Sequence, residues 1–183
     1  LYVTVMFLNE GKIGFFNASM ASLAVSTGFQ LFAVFLQNRK LGLRRVLKEA
    51  FPVLIGFKPA VDAYNIAKGK IHEKGQAADE MTHLISIKCI EIFAESIPGV
   101  IIQLTAIASG GGSVAAWISV VVSALTTGYG GATISYDYDT NPDGRQQSPD
   151  FYGYVPSKSR QRSIVYVSMM LFGAGMLLIR GLV

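Results

Sequence analysis

The sequence predicts an all-α fold, a multi-pass transmembrane helical bundle with one re-entrant or interfacial broken helix. Three observations predict it. The run Ile13–Leu36 contains no charged residue and is long enough to cross about 30 Å of hydrocarbon. Charged residues make up only 15% of the chain and hydrophobic ones 51%, where a globular protein carries about 25% charged residues. The apolar segment Lys88–Gln103 holds ions at positions where lipid or a packed core makes them costly.

The chain reads as a single membrane domain over 1–183. Leu1 is not an initiator methionine and the chain stops directly after an apolar run, so we expect part of a longer protein. Residues 1–8 form an apolar tail, the end of an earlier span, and Asn9, Gly11 and Lys12 punctuate it. The first span is 13–36. Its Asn17, Ser19, Ser22, Ser26 and Thr27 suit hydrogen bonding to neighbouring helices. The loop 37–49 follows with Arg39, Lys40, Arg44, Arg45 and Lys48, a cytoplasmic flank by the positive-inside rule and a contact for anionic lipid. In 50–67, Pro52, Gly56, Lys58, Pro59 and Asp62 interrupt an apolar stretch. A lipid-facing span does not tolerate such breaks, so this segment is expected to be re-entrant or interfacial. Lys58 and Asp62 stand one turn apart and form a pair.

A polar loop, 68–83, leads to the span 84–108. At 100° per residue, Lys88, Glu91 and Glu95 fall within about 60° of one another, with Gln103 about 60° further round. Pro98 lacks a backbone donor and clashes with the carbonyl of Ala94, which predicts a kink. After the Gly110–Gly112 turn comes the span 114–135. There Ala115, Ser119, Ser123, Thr127 and Gly131 recur every fourth residue, a small-residue stripe suited to close helix packing. The loop 136–162 is polar, and its tyrosines suit a membrane interface. The last span, 163–180, ends at Arg180, which can snorkel.

Loop charges bear on topology. The loops 37–49, 68–83 and 136–162 carry five, three and four Lys and Arg residues, and the glycine turn none. If 50–67 does not cross, all three basic loops lie on the cytoplasmic side, the arrangement that the positive-inside rule favours.

Several function classes find little support. The net charge of +4 is small and scattered, which argues against nucleic acid. The single cysteine, Cys89, rules out an internal disulfide and reads as an apolar filler. His72 and His83 have no serine or cysteine constellation around them, so no enzyme is expected. The stretch Asp139–Asp150 fits a calcium-loop spacing through Asp139, Asn141, Asp143 and Asp150. Against calcium stand Pro142, Pro149, Gln146 at the usual apolar position, and Asp rather than Glu at the last one; an exposed turn uses the same residues.

The run from Lys88 to Thr105, with Glu95-Ser-Ile-Pro98 and Gln103, resembles the corresponding helix of the XK-related membrane proteins. Trp117 and the Ser and Leu residues after it, closed by Tyr136, resemble that family's next span. The basic stretch and broken segment upstream are similar to its half-inserted helix. Gly99 stands where the family has glutamine. The resemblance implies an integral protein of the plasma membrane, with membrane lipids as partners and phospholipid scrambling as an activity of some members. A polar intramembrane track of Lys88, Glu91, Glu95, Gln103, Lys58 and Asp62 would suit that activity. Lys88 would offset one carboxylate, and the other would be protonated or paired with Lys58. Two alternatives stay open: an ion or solute channel or transporter, and a non-transporting scaffold that binds a protein partner or a second copy of itself.

Overall fold

The computed structural model describes residues 2–69, 75–78, 80–110, 113–140, 146, 150 and 153–182. All its long elements are helices: α1 (Tyr2–Asn9), α2 (Ile13–Asn38), α3 (Leu43–Leu54), α4 (Lys58–Ala67), α5 (Glu80–Glu91), α6 (Ile97–Ala108), α7 (Val114–Thr140) and α8 (Ser159–Leu182). A 3-10 turn, Arg39–Leu41, extends α2, and a π-helical turn, Ile92–Ser96, joins α5 to α6. Three helices are long and apolar enough to cross a membrane: Ile13–Leu41, Val114–Thr140 and Ser159–Leu182. They contain the stretches 13–36, 114–135 and 163–180 and extend them with polar end residues.

Two stretches differ from the sequence reading. The stretch 84–108 is not one uninterrupted α-helix but α5, the π-helical turn and α6. The irregularity falls just before Pro98, whose ring and missing N–H disturb the preceding turn. The basic stretch read as a loop is helical from Leu43 onward. Its apolar residues recur at helical spacing: Leu43, Leu47, Phe51 and Leu54 lie on one stripe, and each is between 62% and 71% exposed, so this stripe faces away from any core. Arg44 and Lys48 are exposed on the same helix. Pro52 lies within its last turns. Gly56, at φ +74°, then reverses the chain into α4, a backbone angle that glycine adopts without the Cβ penalty.

The residues fall into two compact units. The unit formed by 1–20 and 96–183 contains α1, the start of α2, and α6 to α8. Its core is Val100 and Leu104 of α6 with Val120 of α7, covered by Ile107, Leu177 and Leu178. Helices α7 and α8 run antiparallel: Gly128 meets Met170 and Ala174, Thr133 meets Tyr166, and Tyr136 accepts a bond from Arg162. The edge-to-face rings of Tyr129, Tyr136 and Tyr166 close one end of the pair. The buried face of α7 is Ala116, Val120, Ala124, Gly128 and Ala132, one residue further along the helix than the small-residue stripe read from the sequence.

The second unit, 21–95, holds the remainder of α2 with α3, α4 and α5. Val34 of α2, Val53 of α3 and Ile87 of α5 make its core. Buried Gln37 works as a piece of backbone at the end of α2. Its amide accepts from Ala78 N at 3.0 Å and donates to Ala78 O at 2.7 Å, and its own carbonyl accepts from Ala77 N at 3.1 Å.

Close approach at Gly128 gives a direct test. A Cβ there would collide with the Met170 carbonyl and the Ala174 amide, whereas one at Gly131 meets nothing within 4 Å. Gly128→Ala is therefore expected to destabilise the protein by about 1–3 kcal/mol through overpacking, and Gly131→Ala to leave it unchanged or stabilise it by up to about 1 kcal/mol, since alanine is the better helix former. Thermal unfolding of the two purified variants checks the difference.

Candidate functional site

Two groups of ionisable side chains stand out in the second unit, one enclosed and one half-open. The enclosed one is built by helix spacing. Lys58 and Asp62 sit one turn apart on α4, Arg45 and Glu49 one turn apart on α3, and His83 comes from α5. Lys58 Nζ donates to Asp62 Oδ1 at 2.6 Å and to Glu49 Oε2 at 2.8 Å. Arg45 Nε lies 3.5 Å from Glu49 Oε1, and His83 Nδ1 lies 3.4 Å from Asp62 Oδ2. The Lys58 side chain is 2% exposed and that of Asp62 0%, so the centre of the cluster is shut off, while Glu49 and Arg45 form its partly exposed edge.

Burial alone pushes the Asp62 carboxyl up. The hydrogen bonds and charges of His83 and Lys58 outweigh it and hold that carboxyl below its ordinary value. Charges this deep are tolerable only when paired and hydrogen-bonded. The expected pair Lys58 and Asp62 is thus present, and Glu49 joins it. The idea that Lys58 neutralises Glu91 or Glu95 is corrected, since its partners are Glu49 and Asp62.

The half-open setting is the stretch from Lys88 to Glu95. Lys88, Glu91 and Glu95 are all half-buried, and Glu91 lies within electrostatic reach of both of the others. Glu95 sits inside the π-helical turn. There Ser22 Oγ of α2 donates to the carbonyl of Ala94 at 2.6 Å. That carbonyl is the one that Pro98, four residues on and without an N–H, cannot serve. A hydroxyl on a neighbouring helix thus supplies the missing donor, and the polar backbone of the break is satisfied internally. Cys89 is a half-buried free thiol on the same helix.

Gln103 belongs to the other unit. It bridges α6 to α7, accepting from Ser119 Oγ at 3.3 Å and donating to Ser123 Oγ at 3.4 Å. The stripe read from the sequence therefore divides. Ser119 and Ser123 meet Gln103, Thr127 and Gly131 line a groove beside α8, and Ala115 is exposed. The residue that α8 approaches most closely is Gly128.

Asp139 is not poised as a cation ligand. Its Oδ1 accepts from the amides of Gly153 and Tyr154 at 2.8 and 3.0 Å, and its Oδ2 accepts from Val155 N at 2.9 Å. Asp139 thus ties the end of α7 to the segment leading into α8. Asp150 is exposed; Asn141 and Asp143, like His72, lie outside the described residues. Among the described residues no group of three acidic, histidine or cysteine side chains could hold a metal ion.

Sequence reasoning missed Glu49, Arg45 and His83 as members of the enclosed cluster. The signal for the first two was the i, i+4 spacing of Arg45 and Glu49, legible once the basic stretch is recognised as a helix. His83 carried no signal, since its role depends on which helix packs against α4. No family model, curated protein or solved structure matches the chain.

The enclosed cluster makes two measurable demands. Lys58→Met leaves the buried Asp62 carboxylate without its lysine, while Glu49 keeps Arg45, and is expected to cost about 3–5 kcal/mol. Lys12→Met breaks only the partly exposed pair with Glu10 and is expected to cost no more than about 1 kcal/mol. Chemical denaturation of both variants separates these outcomes. Because the native Asp62 carboxyl lies below its ordinary value of 3.8, the unfolded chain binds more protons in that range. Its contribution is complete above that value and is lost as pH falls through it toward the native one. Unfolding measured from about pH 6 to pH 3 is expected to show this loss, and Asp62→Asn to remove that part of the pH dependence.

Proposed function

We propose that this chain is an integral membrane protein of the XK-related type, in which phospholipid head groups pass between leaflets along a polar face formed by Lys88, Glu91 and Glu95. One observation carries the reading: these three charges are half-buried on a helix interrupted by a π-helical turn, whereas Lys58 and Asp62 are sealed in. A purely structural network would be closed in the manner of the Lys58 cluster. A half-open one can exchange partners with a zwitterionic or anionic head group while the acyl tails stay in lipid. In this reading Lys58, Asp62, Glu49 and His83 hold α3, α4 and α5 in register. Gln103 fixes α6 against α7 rather than contacting lipid.

The membrane arrangement belongs to the same proposal. The three long apolar helices cross the bilayer, and the broken stretch of α5, the π-helical turn and α6 crosses it as well. The hairpin of α3 and α4 lies at its cytoplasmic interface, with Leu43, Leu47, Phe51 and Leu54 in the acyl boundary and Arg44 and Lys48 among the head groups. The resemblance assigns the plasma membrane. A channel or transporter is the second reading, favoured by two carboxylates, Glu91 and Glu95, one turn apart on the half-open face. A scaffold would move neither lipid nor ions.

Vesicles carrying the protein and a fluorescently labelled phospholipid separate the three. Scrambling exposes nearly all the label to a membrane-impermeant quencher, and Glu91→Gln with Glu95→Leu is expected to slow that exposure at least roughly ten-fold, the equivalent of about 1.4 kcal/mol. Ion flux without lipid exposure would establish the channel reading instead, and the absence of both would establish the scaffold.

A further inference from the structure

The unit formed by 1–20 and 96–183 carries a groove of about 580 Å³ lined by α6, α7 and α8. Ile97 and Ile101 of α6, Gly131 of α7, and Phe172 and Met176 of α8 line it, and Arg180 lines it as well. Arg180 is the one charged residue among those lining it, and among the described residues no ion pair includes it. The hydroxyl of Thr127, also in the wall, is returned to the carbonyl of Ser123 on its own helix at 2.7 Å, so it adds little polarity.

Length and charge decide what fits. Along α8 the lining runs from Met169 to Gly181, which at 1.5 Å per residue is roughly 18 Å. One leaflet of the hydrocarbon core is about 15 Å deep, half of the whole. A groove of that length, largely apolar along its walls and carrying one cation, suits a single extended hydrocarbon chain that ends in a phosphate. Its cation directly follows the uncharged run Ile164–Ile179 of α8, where an arginine reaches from hydrocarbon to the head-group layer.

We infer that this groove is a binding site for one acyl chain of a phospholipid, whose phosphate pairs with Arg180. Gly131 makes the slot: a Cβ at that position meets nothing within 4 Å, so a larger side chain would enter the space that the acyl chain takes. The site requires α7 and α8 to lie in a bilayer. It does not require lipid to cross, so its test is independent of the scrambling assay.

Native mass spectrometry of the purified chain, released from detergent with phosphatidylglycerol or phosphatidylcholine of equal chain length, tests the site. One lipid is expected to be retained per chain, with phosphatidylglycerol favoured roughly five-fold, the worth of one cation near the membrane surface. Arg180→Gln is expected to abolish the preference while one lipid is still retained. Gly131→Leu is expected to abolish retention of either lipid while the variant's thermal unfolding stays close to that of the parent protein. Equal retention of the two lipids by the parent protein, a preference that survives Arg180→Gln, or retention that survives Gly131→Leu would each overturn the assignment.

Discussion

An apolar exterior obliges the polar groups of this chain to satisfy one another. Phe29, Phe32, Phe35, Ile118, Val122, Leu171 and Phe172 stand exposed along the three long helices, a surface suited to hydrocarbon rather than water. In such surroundings an unpaired donor or charge costs several kcal/mol. The structure meets that constraint repeatedly by short internal bonds. Thr105, Thr127, Thr133 and Thr140 return their hydroxyls to carbonyls four residues earlier. Gln37 stands in for backbone at the end of α2, and Ser22 serves the carbonyl that Pro98 leaves without a donor.

The same constraint gives the ions of the second unit their different standing. Lys58 is tolerable at 2% exposure because two carboxylates reach it at hydrogen-bonding distance. Such a cluster contributes less net stability than its Coulomb attraction suggests, since desolvation offsets most of the gain. Its consequence is geometric: α3, α4 and α5 have one register in which Glu49, Lys58, Asp62 and His83 all meet. Lys88, Glu91 and Glu95 lack that enclosure, which is why the functional proposal rests on them. Head-group exchange needs charges that are neither fully solvated nor fully enclosed.

Close helix packing obeys a second rule, that of side-chain size. Gly128 lets the backbone of α7 approach Met170 and Ala174 of α8, while Gly131, one turn on, removes a side chain from the wall of a groove. The two glycines look alike in sequence and act oppositely. One brings helices together, and the other keeps a space between them.

Much of this was legible from the sequence because it depends on short-range pattern. The absence of charge over Ile13–Leu36, the i, i+4 spacing of Lys58 and Asp62, and the break at Pro98 are properties of a few consecutive residues. Hydropathy and helical period read them directly. The tertiary structure alone decided which neighbours those residues have. It turned the buried face of α7 one residue past the expected stripe, brought Glu49 and His83 to the Lys58 pair, and spent the carboxylate of Asp139 on three amides of the segment after α7. The physical reason is that a helix offers several apolar faces of similar merit, and a buried charge accepts any partner of the right sign. The choice among them is made by the helices that come to lie alongside, and no local pattern encodes that choice.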